Sequence, residues 1–122
     1  MDEEISELRR HFETASSAQD FSNIGNDCVS MLEALSAVAY DHSVHQLDND
    51  PEPPVANTKT RLQRVIEVDL AGNAEMRRLA RASIEAAQAV KHRRKTTTRV
   101  EAGISADAVI LLDKIFRRIR EV

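Results

Sequence analysis

The sequence of 122 residues contains few of the residues that interrupt or cross-link a chain. It has three glycines, three prolines and one cysteine, Cys28. A single cysteine excludes an intrachain disulfide, and so little turn-forming material favours a few long elements. A chain of this length buries enough surface to fold without a metal or a disulfide. Residues 1–122 are therefore predicted to form a single domain, with one main loop at 47–56.

Aromatic residues are also scarce, at 3%, with no tryptophan and one tyrosine. We therefore expect a core made mainly of aliphatic side chains, and base stacking is disfavoured as a way of binding nucleic acid. Cys28 lies within an apolar helical pattern, which favours a buried, inert thiol over a reactive one.

Long apolar runs are missing as well, since no stretch approaches the ~18 residues that cross a bilayer. The first residues, Met1 to Glu4, are acidic and lack the apolar segment of a signal peptide. We therefore expect a cytoplasmic protein without membrane contact.

Helical periodicity is the main positive feature of the sequence. Apolar residues recur every three or four positions, which predicts helices over about 3–18, from Asp20 through His42, and over about 58–71, 74–94 and 99–121. No strand pattern is present. The predicted fold class is all-α, an up-and-down helical bundle of four to five helices.

Local signals predict where these helices begin and end. The three prolines of 47–56 exclude a helix there. Gly72 is placed to cap the end of the helix 58–71, and Asn73 to cap the start of the next. Thr98 and Glu101 have the spacing of a capping box for the last helix.

The apolar faces predict the residues that point inward. In the second helix these are Phe21, Ile24, Cys28, Met31, Leu32, Leu35, Val38, Ala39 and His42, and Gly25 would let another helix approach closely. In the helix 74–94 they are Met76, Leu79, Ala80, Ser83, Ala87 and Val90.

The last helix is more apolar than one buried face requires. Its main predicted stripe, Ile104, Ala108, Leu111, Leu112, Ile115 and Ile119, is widened by Val109 and Phe116, and Ile110 lies nearly opposite. Such a helix is either central in the bundle or covered by a second copy of the chain. We predict a homodimer formed through this helix.

Charge is divided unevenly along the chain. Residues 1–56 carry a net charge of −10 and residues 57–122 a net charge of +7. One interpretation is that the two halves pack together and complement each other. The alternative is that the basic half meets an anionic partner, either RNA or an acidic protein surface.

The most cationic segment is Lys91-His92-Arg93-Arg94-Lys95-Thr96-Thr97-Thr98-Arg99, which contains no acid. It spans a turn before a helix whose free N–H groups favour an anion, and arginine binds phosphate bidentately. An anion or nucleic-acid site is therefore predicted, formed by Lys91, Arg93, Arg94, Lys95 and Arg99. The alternative is structural, because cations stabilise a helix C-terminus and threonines cap helices.

The histidines are the other candidate functional side chains. Cations around His92 favour its neutral form, which could act as a base toward a ribose hydroxyl, so His92 is the candidate catalytic residue. The alternative is a solvated side chain. His42 and His45, near Asp41 and Asp48, form a candidate metal pair. Without a third ligand this pair is more typical of solvated or capping histidines, so no metal or cofactor is predicted.

The second half of the chain resembles a known family. Gln88-Ala89-Val90-Lys91-His92-Arg93, a short polar turn, and Glu101-Ala102 before an apolar helix are similar to the closing helices of HEPN domains, including those of abortive-infection proteins. The segment 20–28 is similar to their first long helix, and the resemblance covers about 20–120. It implies a small, commonly dimeric bundle, either an RNase of a toxin or antiviral system or an inactive binding domain.

The motif of active HEPN members is matched only in part. They carry an arginine separated from the histidine by four to six residues, and here the corresponding positions hold Glu85, Ala86 and Ala87, so only His92 is carried over. The leading hypothesis is a non-catalytic or degenerate HEPN-like bundle that self-associates and binds RNA, a nucleotide or a partner protein. The alternatives are a metal-independent RNase using His92 with Arg93 or Arg94, and a plain helical adaptor module.

Overall fold

The computed structural model describes residues 2–91 and 97–120. This part of the chain forms six helices and no strand: α1 Asp2–Thr14, α2 Ala18–Ala39, α3 His42–His45, α4 Thr58–Asp69, α5 Ala74–Gln88 and α6 Arg99–Arg120. The predicted all-α bundle is confirmed. The helices number six rather than four to five because the second predicted helix is divided in two.

This division occurs at Tyr40. Its backbone is extended (φ −83°, ψ 128°), which ends α2, and the Asp41 carboxylate accepts a hydrogen bond from the Ser43 N–H at 3.0 Å to start α3. A short acidic side chain that binds the backbone two residues onward competes with helix continuation. The helix predicted to reach His42 therefore ends at Ala39.

Capping interactions position the long helices. The second helix, predicted to start at Asp20, starts at Ala18: Ser17 is its N-cap and Asp20 completes the capping box. Asp20 accepts from the N–H groups of Ser16 (2.9 Å) and Ser17 (3.2 Å), and these bonds lower its pKa. The predicted Asn73 cap is confirmed by a 3.0 Å bond from the Met76 N–H.

The C-terminal cap predicted at Gly72 is wrong. Helix α4 ends at Asp69 with Leu70 as its cap, and none of the chain's three glycines has a positive φ. Leu70 adopts φ −115° and ψ 27°, so the helix ends without the left-handed residue that favours glycine.

Helix α2 is the centre of the bundle, because it packs against α1, α4, α5 and α6. Its residues Ile24, Cys28, Leu32 and Leu35 are at most 1% exposed. The close approach predicted at Gly25 is confirmed: a Cβ there would lie 2.9 Å from the Cβ of Val90.

Three residues predicted to face the core of α2 and α5 are exposed instead. Val38 is 63% exposed, Met76 42% and Leu79 41%. Met76 lies in the first turn of α5, and Leu79 is turned about 90° from the middle of its buried face at 3.6 residues per turn. Ile84, which the sequence pattern did not select, is fully buried in their place.

Charged side chains also join the two halves of the chain. Arg117 contacts Asp2 at 2.7 Å, while Arg64 approaches Asp50 and Arg61 approaches Glu52 at 3.7 and 3.9 Å. Arg61 and Arg64 also donate to carbonyls of the proline loop, those of Pro53 (2.7 Å) and Pro51 (3.2 Å). No helix of the described residues combines the length and apolar character needed to cross a bilayer.

Candidate interaction surface

The outward face of α6 carries an apolar stripe that the bundle does not cover. Val100, Ile104 and Leu111 are 69%, 57% and 38% exposed. Ile104 and Leu111 belong to the main stripe that the sequence pattern predicted for this helix, so the bundle leaves part of that stripe uncovered. We call this outward face, together with the partly buried Ala108 and Ile115 beside it, the α6 stripe.

The opposite side of α6 is the buried one, and it is built partly from small residues. Its members are Ala102, Ser105, Ala106, Val109, Ile110, Leu112, Asp113 and Phe116. Small side chains allow neighbouring helices to approach closely, and the Ser105 hydroxyl donates to the Ala86 carbonyl of α5 at 2.7 Å. Ile104 and Leu111 lie on the other side of the helix and are left outside.

A buried carboxylate fixes how α6 sits against α1. Asp113 is 1% exposed and its Oδ2 accepts from Arg117 Nε at 2.8 Å, while Arg117 Nη2 donates to Asp2 at 2.7 Å. The hydrogen bond and the charge of Asp113 raise the pKa of Arg117. The other oxygen, Oδ1, has no hydrogen-bond partner among the described residues. This chain of contacts links the end of α6 to the start of α1 through an ion pair that is exposed to solvent.

A groove of about 660 Å³ lies between α1 and α6 and borders the α6 stripe. Phe12 packs over Gly103, where a Cβ would lie 3.1 Å from its ring. The Arg99 guanidinium stacks 4.5 Å from the Phe12 ring centroid and donates to the Ala15 carbonyl at 3.2 Å. Arg99 is thus engaged within the chain at one end of the groove.

The groove contains charges of both signs. Arg9, Arg99 and Lys114 line it together with Glu13 and Asp107. Asp107 and Lys114 are exposed and lie two turns apart on the same flank of the stripe. Neither makes an ion pair or hydrogen bond with another residue in 2–91 or 97–120. Mixed charge around an apolar floor suits a protein surface better than a phosphate.

The predicted anion site lies partly outside the described residues. This holds for the candidate base His92 and for Arg93, Arg94 and Lys95. Lys91 is exposed and ends the described segment after α5. The predicted capping box of α6 is confirmed, because the Glu101 N–H donates to Thr98 Oγ1 at 3.2 Å and the Thr98 N–H donates to Glu101 Oε1 at 3.1 Å.

The candidate metal pair is occupied by hydrogen bonds within the chain. His45, 4% exposed, accepts from the Asp41 N–H at Nδ1 (3.0 Å). Its proton therefore resides on Nε2, which donates to the Asp69 carboxylate at 3.2 Å. His42 bonds the Tyr40 hydroxyl at 2.8 Å instead of turning toward His45. No group of three potential metal ligands occurs in the described part of the chain.

Cys28 is buried as predicted. Burial, with a smaller effect from the charge of Asp27, raises the pKa of its thiol to about 12. The thiolate is the reactive form of cysteine, so this side chain serves packing in α2 at neutral pH.

Comparison with protein-family models, with curated proteins and with solved structures gives no match for this chain. No relative therefore indicates a function. The features of the described residues that suggest one are the α6 stripe, the α1–α6 groove and the Asp107 and Lys114 side chains. The sequence pattern pointed to α6 through its excess of apolar residues. It did not single out Val100, Asp107 or Lys114, because their importance depends on which face is buried.

Proposed function

We propose that this chain is a non-catalytic helical bundle that self-associates, and that the α6 stripe is its contact with a second copy. The observation that carries the proposal is the exposure of Val100, Ile104 and Leu111 on one face of a helix whose other face is in the core. Contiguous apolar patches on soluble proteins mark interaction sites.

The other exposed apolar residues are scattered, apart from one pair in α5, Met76 and Leu79. Val38 lies near the end of α2, Val44 in α3 and Val55 in the proline loop. Single exposed apolar residues are ordinary on protein surfaces. The α6 stripe differs from the α5 pair and from the single residues because its members recur from Val100 to Ile115 and border a groove.

Substitution of the stripe tests this proposal. We expect the wild-type protein to be dimeric by sedimentation or light scattering at micromolar concentration, and Ile104→Glu and Leu111→Glu to be monomeric, because a charge in an apolar interface loses its hydration. Val38→Glu is the matched control and should stay dimeric.

Circular dichroism should show the same helix content in all of these variants. A wild-type protein that stays monomeric at high micromolar concentration would refute the proposal. So would stripe variants that dimerise as well as the wild type does.

The second part of the proposal concerns the basic segment 91–99, which we propose contacts RNA, a nucleotide or an acidic protein, as the HEPN resemblance implies for a defence- or toxin-type system. Its support is five cations within nine residues without an acid. RNA affinity through this segment should fall steeply as the salt concentration rises. The slope of this salt dependence should be smaller for the double variant Arg93→Ala with Arg94→Ala.

A surface cation elsewhere gives the control for that titration. Arg78→Ala, on the exposed side of α5, should leave the salt slope unchanged. Absence of RNA binding at low salt would favour the adaptor interpretation. RNA cleavage that His92→Ala abolishes would favour the RNase alternative.

A further inference from the structure

Residues along the α6 stripe follow the spacing of a two-helix seam. Ile104, Ala108, Leu111 and Ile115 are separated by four, three and four positions, the alternation that brings side chains to one line between paired helices. Ile104 and Leu111 are exposed, and Ala108 and Ile115 are partly buried. This line spans about 16 Å along the helix at 1.5 Å per residue.

Asp107 and Lys114 lie on one flank of this line, each one position before a seam residue. In an antiparallel pair related by a two-fold axis between the helices, equal flanks of the two copies face each other. Asp107 then meets Lys114 of the second copy, and Lys114 meets its Asp107. The opposite charges occur twice in one interface, and both side chains lack a partner within the described residues.

A parallel pair would not use these charges. It would set the Asp107 flank against the opposite flank of the second α6, where Ser105 and Leu112 are at most 1% exposed. Ser105 is bonded to α5 there. An uncharged, covered flank offers no partner to Asp107 or Lys114, so the charges favour the antiparallel arrangement.

We propose that two copies of this chain pair through α6 in antiparallel orientation, with the two-fold axis beside residues 109–110. This inference rests on the proposed self-association and adds its orientation and register. Ile104 packs on Ile115 of the second copy, and Leu111 packs against its Ala108, whose small side chain leaves room. Two ion pairs between Asp107 and Lys114 border these apolar layers on the side of the α1–α6 groove.

Charge exchange at the two flank positions tests the orientation. Asp107→Lys alone, or Lys114→Asp alone, places like charges together at both pairs. We expect each variant by itself to dimerise on the order of tenfold more weakly than the wild type, since an attractive contact becomes a repulsive one at two places in the interface. The double variant Asp107→Lys with Lys114→Asp restores both pairs and should regain wild-type affinity.

Mixing the two single variants gives the sharpest readout. One chain then carries two lysines and the other two aspartates at these positions, so a heterodimer of near wild-type affinity should form, which native mass spectrometry can detect with chains of different mass. Both side chains are exposed, so circular dichroism should be unchanged.

The possible failures are distinguishable. If the wild type dimerises but the mixture binds no better than each variant alone, the antiparallel register is wrong while self-association stands. If the wild type is monomeric, the proposed function itself fails. The stripe would then be a binding surface for a helix of another protein.

Discussion

Helices α2 and α6 have the same length, 22 residues, but use their apolar side chains differently. In α2 the large apolar residues are buried or partly buried, apart from Val38 at the end of the helix. In α6 one face is buried while Val100, Ile104 and Leu111 point outward. An apolar helix is therefore not always explained by the core of its own chain.

The difference follows from the number of neighbours. Helix α2 packs against four helices, α1, α4, α5 and α6, and its exposed side carries mainly polar residues such as Asn23, Asn26, Ser30 and Glu33. Helix α6 packs against α1, α2 and α5 and leaves a continuous arc uncovered. Burial in α2 stabilises the fold, whereas the apolar arc of α6 is available for association.

The largest expected effect contrasts the same substitution on the two helices. Leu32→Ala in α2 removes a fully buried side chain and should lower the free energy of unfolding by about 2–5 kcal/mol. Leu111→Ala on α6 removes a 38% exposed side chain and should lower it by less than about 1 kcal/mol.

Urea denaturation measures both values. The protein concentration should be low enough that any dimer is dissociated. Equal losses for Leu32→Ala and Leu111→Ala would remove the distinction between the two helices.

A smaller effect is expected at the glycines of the same two helices. Gly25→Ala in α2 would press its Cβ to 2.9 Å from the Val90 Cβ, beside the chain backbone at Lys91. Overpacking typically costs about 1–3 kcal/mol and helix propensity offsets at most about 1, so we expect a net loss of about 1–2 kcal/mol.

Gly103→Ala in α6 is the matched control. Its Cβ meets only the edge of the Phe12 ring, at 3.1 Å, and Phe12 is half-buried beside the groove. We expect stability within about 0.5 kcal/mol of the wild type, because the ring can shift and alanine favours the helix. A Gly25→Ala variant as stable as Gly103→Ala would show that α2 and its neighbours are packed less tightly than the structure indicates.

Short-range features could be predicted because they depend on residues close in sequence. Asn73, and Thr98 with Glu101, cap α5 and α6 through bonds spanning three residues. The division at Tyr40 was missed because the apolar spacing continues through Ala39 to His42. The competing bond from the Ser43 N–H to Asp41 gives no signal in that spacing.

The candidate site could be predicted from the sequence only in part. The excess of apolar residues predicted that α6 is either central in the bundle or covered by a second copy, but not which of its residues face outward. Larger side chains suggest burial when position in the bundle is unknown. Asp107 and Lys114 can be recognised as candidate contact residues only once the structure shows that both flank the exposed face of α6.

What the sequence alone determined is that this chain is helical, and where its best-capped helices start, because periodicity and capping depend on residues one to four positions apart. The tertiary structure decided which of the two apolar faces of α6 is buried. That choice depends on contacts between residues far apart in sequence: Ser105 donates to the Ala86 carbonyl of α5 and Leu112 and Phe116 are buried, whereas Ile104 and Leu111 remain outside.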